Sequence, residues 1–306
     1  MSRTMGIPGD VIMSQDITPF ADDWYITDKI KQVWDRGITG KGVKFAVNDT
    51  GGTDNHPKLK PPLQRLSAIR GENGVDSNGH GTACSYIAST VAPDADYITI
   101  QVLGDNGSGS TAGINRAYGM AAEEDCDFVN GSYGDNGGPP IREDIDAIDE
   151  SYDLGMSLVN IAAGNAGFNG RTNTIGRPAS YENTGCTGST DRNNQISGYS
   201  SGGRQLDWAC FGQDMTYANP RGGFSRGSGT SFATPYFVGI LCLVQQARRE
   251  VGLPDLHGVT EWRDFFIAED MLRDAGRPGE DDSFGIGIPD IEKMLDWILK
   301  VTPENL

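Results

Sequence analysis

The sequence predicts an α/β domain of three layers, α/β/α, with helices on both faces of a mostly parallel central sheet. Three observations predict it. Short β-rich apolar runs alternate with segments of helical apolar spacing, which implies parallel strands joined by right-handed crossovers. The apolar residues from Phe232 to Val244 form a run too continuous for a surface helix, so it reads as a buried one. The chain has 306 residues, 37% of them apolar, which is enough for one large core. No linker-like stretch divides it, so residues 24–306 read as one domain behind a leader or arm of residues 1–23.

The elements follow in order. Residues 1–23 are polar and irregular. Asp28 to Asp35 places Ile30, Val33 and Trp34 at helical spacing, and Gly37 and Gly40 end the helix. Val43 to Asn48 is β-rich and bounded by Gly42 and Asp49. A helix is predicted over Thr82 to Val91, then a strand over Tyr97 to Leu103 and a helix over Ala112 to Glu124. Phe128 to Ser132 and Ser157 to Ala162 read as strands on either side of a helix within Ile141 to Gly155. Tyr181 to Thr216 is turn-rich with short strands. Helices are predicted from Ser231, over Val259 to Ala275, and over Asp290 to Lys300.

Acidic residues outnumber basic ones 42 to 25, for a net charge of -17, which argues against a nucleic-acid partner. No stretch is long and apolar enough to span a membrane, and the first residues lack the apolar segment of a secretory signal. Five cysteines without paired spacings do not form a disulfide framework. Together these point to a cytoplasmic protein. Cys186 and Cys210 are candidates for closeness across neighbouring strands.

Three stretches carry chemistry. Gly227 to Pro235 reads GSGTSFATP, which puts Ser231 at the mouth of the buried helix, beside free N–H groups. Val43 to Gly51 ends a strand in Asp49-Thr50-Gly51, and Asn78 to Cys84 reads NGHGTAC around His80. A serine hydroxyl needs a base within hydrogen-bond reach, and the base needs an orienting partner. The chain has three histidines: His56 precedes Pro57 in a polar loop, His257 lies in a loop before a helix, and His80 is flanked by Gly79 and Gly81, which leaves little side-chain bulk around it. Asp49 is the candidate orienting group, with Asp76 the lesser one.

These motifs resemble those of the subtilisin-like serine proteases, the subtilases, in the same order along the chain: Asp49, His80, Ser231. A fourth stretch, Ala162 to Gly167 (AAGNAG), resembles the place where the family keeps its oxyanion asparagine, here Asn165. The resemblance runs from about Trp24 to about Leu295 and implies a subtilisin-like fold and peptide-bond hydrolysis through an acyl-enzyme. It implies no cofactor, and no metal site is assigned: the chain departs from extracellular relatives in that Thr82 to Pro93 leaves no room for their calcium loop and Lys58 replaces a usual aspartate ligand, so that site is expected to be absent, with weak calcium sites among exposed aspartates left open. The partner it implies is a polypeptide bound extended between two strand edges, with Ser108 and Gly109 on one and Ser132, Tyr133 and Gly134 on the other. Ala162, Ala163 and Gly164 are the implied walls of the main specificity pocket and Gly176 its floor, with a cis bond at Arg177-Pro178 behind it. Tyr133 departs from the leucine common in relatives.

Intracellular members similar to this chain lack a prodomain, and here about 40 residues precede the first strand of the domain. The leader is then either an inhibitory segment across the site or a surface arm. Two other functions are compatible with the fold. One is transfer of the acyl group to an amine, as in cyclising members, but the span from Asp49 to His80 has no room for their insertions. The other is a non-catalytic binding protein, against which an intact set of Asp49, His80, Ser231 and Asn165 stands.

Overall fold

A computed structural model describes residues 4–7, 9–13, 23–135, 137–167, 173–273, 275 and 280–301. The leader contributes two short strands, β1 (Thr4–Gly6) and β2 (Val11–Met13), where the sequence suggests irregular chain. Helix α1 (Asp28–Asp35) follows, opened by Thr27, whose hydroxyl accepts from the Ile30 N–H at 3.4 Å. Then come β3 (Lys44–Asp49), β4 (Arg65–Ser67), α2 (His80–Val91) and β5 (Asp96–Gln101). Next are β6 (Ser108–Ser110), α3 (Thr111–Glu123), β7 (Phe128–Gly131), α4 (Arg142–Asp153) and β8 (Leu158–Ala162). Strands β9 (Gly185–Thr190), β10 (Trp208–Phe211), β11 (Met215–Ala218) and β12 (Phe224–Ser228) lead into α5 (Thr230–Glu250). The described chain closes with α6 (Gly258–Ala268), β13 (Leu272–Arg273), β14 (Ile288–Pro289) and α7 (Ile291–Val301).

Seven strands form one parallel sheet in the order β10-β9-β8-β7-β3-β5-β4. From β3 the chain goes to one edge as β4 and returns as β5 between β4 and β3, then builds outward on the other side through β7, β8, β9 and β10. The boundary between β3 and β7 is a reversal of direction, where parallel sheets open a crevice at their carboxyl ends. Asp49 ends β3, Ser132 follows β7 and Asn165 follows β8, so all three reach that crevice.

Alternation along the strands divides the core in two. Phe45 and Val47 face a cluster with Ile87, Phe237, Leu241 and Trp262, on the side of α2, α5 and α6. Ala46 faces the opposite cluster with Ile114, Tyr118 and Ile148, on the side of α3 and α4. A period of two therefore sends Asp49, two residues beyond Val47, toward α2. Helix α5 runs for 21 residues on that face of the sheet, buried from Thr230 to Arg248.

Two expectations are corrected. The helix expected to reach Ala275 stops at Ala268, because Asp270 takes a φ of 52° and the chain turns into β13, which pairs with β14. Strands β9 and β10 are neighbours, but their register sets Cys210 opposite Ser189. Cys186 and Cys210 belong to opposite faces of the sheet, and all five cysteines are free.

The far end of α5 is tied to the chain before β3 by one side chain. The Gln246 carbonyl accepts from the N–H groups of Thr39 (2.7 Å), Gly40 (2.7 Å) and Lys41 (3.0 Å), and its amide donates to Gly37 O at 2.9 Å. Gln246→Ala leaves these groups without partners in a site where Gln246 is only 4% exposed. Denaturant unfolding should show a loss of about 1–3 kcal/mol. A loss below ~0.5 kcal/mol would mean that water replaces the amide without penalty.

Candidate active site

The site is assembled at the buried N-terminus of α5. Its first N–H groups lack intrahelical partners and must be satisfied from outside. Asn165 does this: its carbonyl oxygen accepts from the Thr230 N–H at 3.0 Å and from the Thr230 hydroxyl at 3.1 Å. The Gly164 N–H donates back to the Thr230 hydroxyl at 3.1 Å. With its oxygen held, the Asn165 side chain presents its NH₂ to the cleft. Gly229 forms the opposite wall, where a Cβ would lie 3.3 Å from Asn165 Nδ2.

Ser231 is the second residue of α5 and is fully buried. Pro235 lies four residues on and has no N–H, so the Ser231 carbonyl has no helical donor. Ser132 Oγ donates to it at 2.9 Å, and the Cys84 thiol approaches it at 3.5 Å. The backbone of Ser231 is thus fixed from β7 and α2 at once. Its hydroxyl is free of hydrogen bonds among the described residues.

His80 opens α2, and its Nδ1 lies 2.8 and 2.9 Å from the two carboxylate oxygens of Asp49. Asp49 is fully buried and also accepts from the Thr50 N–H at 2.7 Å. Gly81 is needed next to His80, because a Cβ there would stand 2.2 Å from Gly51 O. Asp76 serves the helix instead of the imidazole, accepting from the N–H groups of Gly79 (2.7 Å) and Thr82 (2.8 Å). Cys84 sits one turn below His80, and burial pushes its thiol up to about 11. His56 is buried, with Nε2 3.0 Å from Gly223 O, although its sequence setting reads as a polar loop. His257 binds Met156 O through Nδ1 at 3.0 Å, away from the cleft.

The leader occupies the cleft. Strand β1 pairs antiparallel with β6, setting Met5 opposite Gly109 and Gly6 opposite Ser108. On its other side the N–H and C=O of Gly6 exchange two 3.0 Å bonds with Gly134. Met5 is 2% exposed, in the apolar cluster that holds Leu103 and Ile114. Beyond Gly9, the Asp10 carboxylate takes one oxygen to Asn165 Nδ2 (2.7 Å) and the other to His80 Nε2 (3.1 Å). Strand β2 then pairs with β12.

A cavity of about 650 Å³ opens beside this strand, lined by Gly134, Ala162, Ala163, Gly164, Asn165 and Gly176. Arg177–Pro178 behind it is cis. The side chains of two residues expected on the substrate edge are engaged elsewhere. The Ser132 hydroxyl is spent on the Ser231 carbonyl. The Tyr133 side chain is fully buried away from the cleft, with its hydroxyl 3.2 Å from that of Tyr118. Sequence reasoning did not single out Asp10 or Thr230. Thr230 stands in the GTS motif beside Ser231, and Asp10 follows the alternating apolar pair Met5 and Ile7, a weak strand signal.

The sequence pattern of the subtilase family matches residues 40–287. The chain is 33% identical to the Alkaline elastase YaB of Bacillus sp. (strain YaB), over 84% of its own length and 65% of that protein's. It is 33% identical to the Intracellular serine protease of Paenibacillus polymyxa, over 74% of each chain. It is 32% identical to Subtilisin DY of Bacillus licheniformis, over 71% of this chain and 81% of that one. The chain thus spans just under two thirds of the alkaline elastase's length. On the match over most of its length, the chain belongs to the subtilase family.

Proposed function

We propose that this chain is a serine endopeptidase in which Ser231 is the nucleophile, His80 the general base and acid, and Asp49 the group that orients His80. The observation that carries the reading is the convergence at one helix terminus. Asp49 grips His80 Nδ1, and Ser231 stands at the start of α5 beside an Asn165 amide whose oxygen is already held.

The steps follow from that arrangement. Neutral His80 accepts the Ser231 proton at Nε2 as the hydroxyl attacks the scissile carbonyl. Asp49 stabilises the imidazolium that results and keeps the Nδ1 proton in place. Negative charge on the former carbonyl oxygen is met by Asn165 Nδ2 and the Ser231 N–H. His80 then protonates the leaving amine, the C–N bond breaks, and water attacks the acyl-enzyme by the same route.

The leader supports the substrate assignment. It lies as a strand between β6 and Gly134, the path that an extended polypeptide would take. Ser108, Gly109 and Gly134 would hold the substrate backbone, and Ala162, Ala163, Gly164 and Gly176 would surround the side chain before the scissile bond. Ser132 and Tyr133 would continue this edge through their backbone, with their side chains turned behind it. No cofactor enters these steps. Free cysteines and similarity to a protease named intracellular support action in the cytoplasm.

Two outcomes test the reading. Ser231→Ala should abolish labelling by a fluorophosphonate and cleavage of an unstructured protein at pH 8, while wild type shows both. Labelling that survives Ser231→Ala would assign the nucleophile elsewhere. Asn165→Ala should lower kcat by about 10²–10³, the size found for a subtilisin oxyanion asparagine and carried over to this chain, with KM little changed. An equal rise in KM at constant kcat would make Asn165 a substrate-binding group instead.

A further inference from the structure

Asp10 is held more tightly than a passing strand residue requires. Its side chain is 3% exposed, and its two oxygens bind the two groups that the reaction needs free, Asn165 Nδ2 and His80 Nε2. The space is shaped for it: a Cβ on Gly229 would stand 2.1 Å from Asp10 Oδ1. Backbone pairing of β1 and β2 explains why the leader lies in the cleft. It does not explain a carboxylate seated between the base and the amide.

The proton inventory of His80 supplies the reason. A neutral imidazole carries one N–H, and here both ring nitrogens face carboxylate oxygens. With Nδ1 donating to Asp49, a neutral ring would turn the Nε2 lone pair toward Asp10 Oδ2 at 3.1 Å. The contact is attractive only when a proton lies between Nε2 and Oδ2, and with Asp10 as a carboxylate that proton sits on Nε2. The seated leader therefore belongs with an imidazolium, which cannot take the Ser231 proton.

We propose that Asp10 is a protonation latch, locking the leader into the active site while His80 is charged and releasing it when His80 gives up its proton. This rests on the serine endopeptidase reading and assigns the regulation of that same site. The groups facing the latch are His80 and Cys84 on α2, Asp49 on β3, Asn165 after β8, Tyr199, Tyr217 on β11, and Arg221 in the adjoining part of the cleft. Burial pushes the Cys84 thiol up to about 11 and the Tyr199 and Tyr217 phenols up to about 12, so these three stay neutral through the range that matters.

The direction of the pH dependence follows. Burial alone would lower the His80 pKa, but the Asp49 charge and hydrogen bonds to Asp10 and Asp49 raise it well above its ordinary value. The Asp10 share of that rise exists only with the leader seated. Seating is then fully favoured below the pKa of the released state and is lost as pH rises through that of the seated state. Each pH unit between the two is a factor of about ten in the ratio of seated to released enzyme.

The test uses the full chain and a fluorophosphonate, with labelling rates measured from pH 6 to pH 10 for wild type, Asp10→Ala and Asp10→Asn. Circular dichroism checks folding, intact mass checks that the leader is retained, and Ser231→Ala is the blank. Asp10→Ala loses the Asp10 share of the rise, so its labelling should climb at lower pH than that of wild type. Wild type should rise at higher pH and label at least about ten-fold more slowly at pH 7. Asp10→Asn can donate to a neutral Nε2, so its leader should stay seated and the alkaline rise of wild type should vanish. If wild type and Asp10→Ala label with the same midpoint, Asp10 is at most a steric plug and the latch is wrong, while the protease reading stands. If no folded variant labels at any pH, the serine mechanism fails and the latch falls with it.

Discussion

The buried start of α5 constrains everything around it. A helix enclosed from Thr230 to Arg248 cannot leave its first N–H groups to water. Asn165 satisfies one of them with its carbonyl oxygen, and in doing so fixes which way its amide points. Pro235 leaves the Ser231 carbonyl to be claimed by Ser132 and Cys84, which draws β7 and α2 against the same turn. Satisfying the backbone and aiming these side chains are here one operation. It explains why four stretches far apart in sequence meet with little freedom.

Much of this was legible in the sequence because it rests on local regularities. The alternation of strand and helix follows from periodicity, and the Asp49 side chain faces α2 because Phe45 and Val47 do. Ser231, His80 and Asn165 could be read from short motifs in a fixed order. Tyr133 could not, since its place beside β7 leaves open whether the ring or the backbone lines the cleft, and the ring is buried. The second part played by the Ser132 hydroxyl was not legible either: the Ser231 carbonyl lacks a helical donor because of Pro235, and only the fold brings Ser132 to it. The overrun of α6 had another cause. Helical spacing continues past Ala268, and pairing between β13 and β14 overrides it.

The leader was the least legible part. Residues 1–23 lack the apolar density of a core strand, so sequence alone allowed a loose arm. Its strands form by adding to existing edges, β6 and Gly134 for β1 and β12 for β2. Such strands take much of their hydrogen bonding from the partner, and their own composition says little about it. The same cleft that would receive a polypeptide from outside holds one from within, and Asp10 adds a charge that an ordinary passing chain need not carry.

That the leader is covalently part of the chain has a thermodynamic consequence. A tethered segment competes with substrate at an effective concentration on the order of millimolar, whatever the protein concentration. A peptide of modest intrinsic affinity can then fill the cleft almost completely, and diluting the protein does not empty it. A substrate in the micromolar range would face a competitor that never diffuses away. Occupancy is set by the chemistry inside the cleft and by the integrity of the chain between Asp10 and Asp23, and crowding or scarcity of the protein has little influence on it.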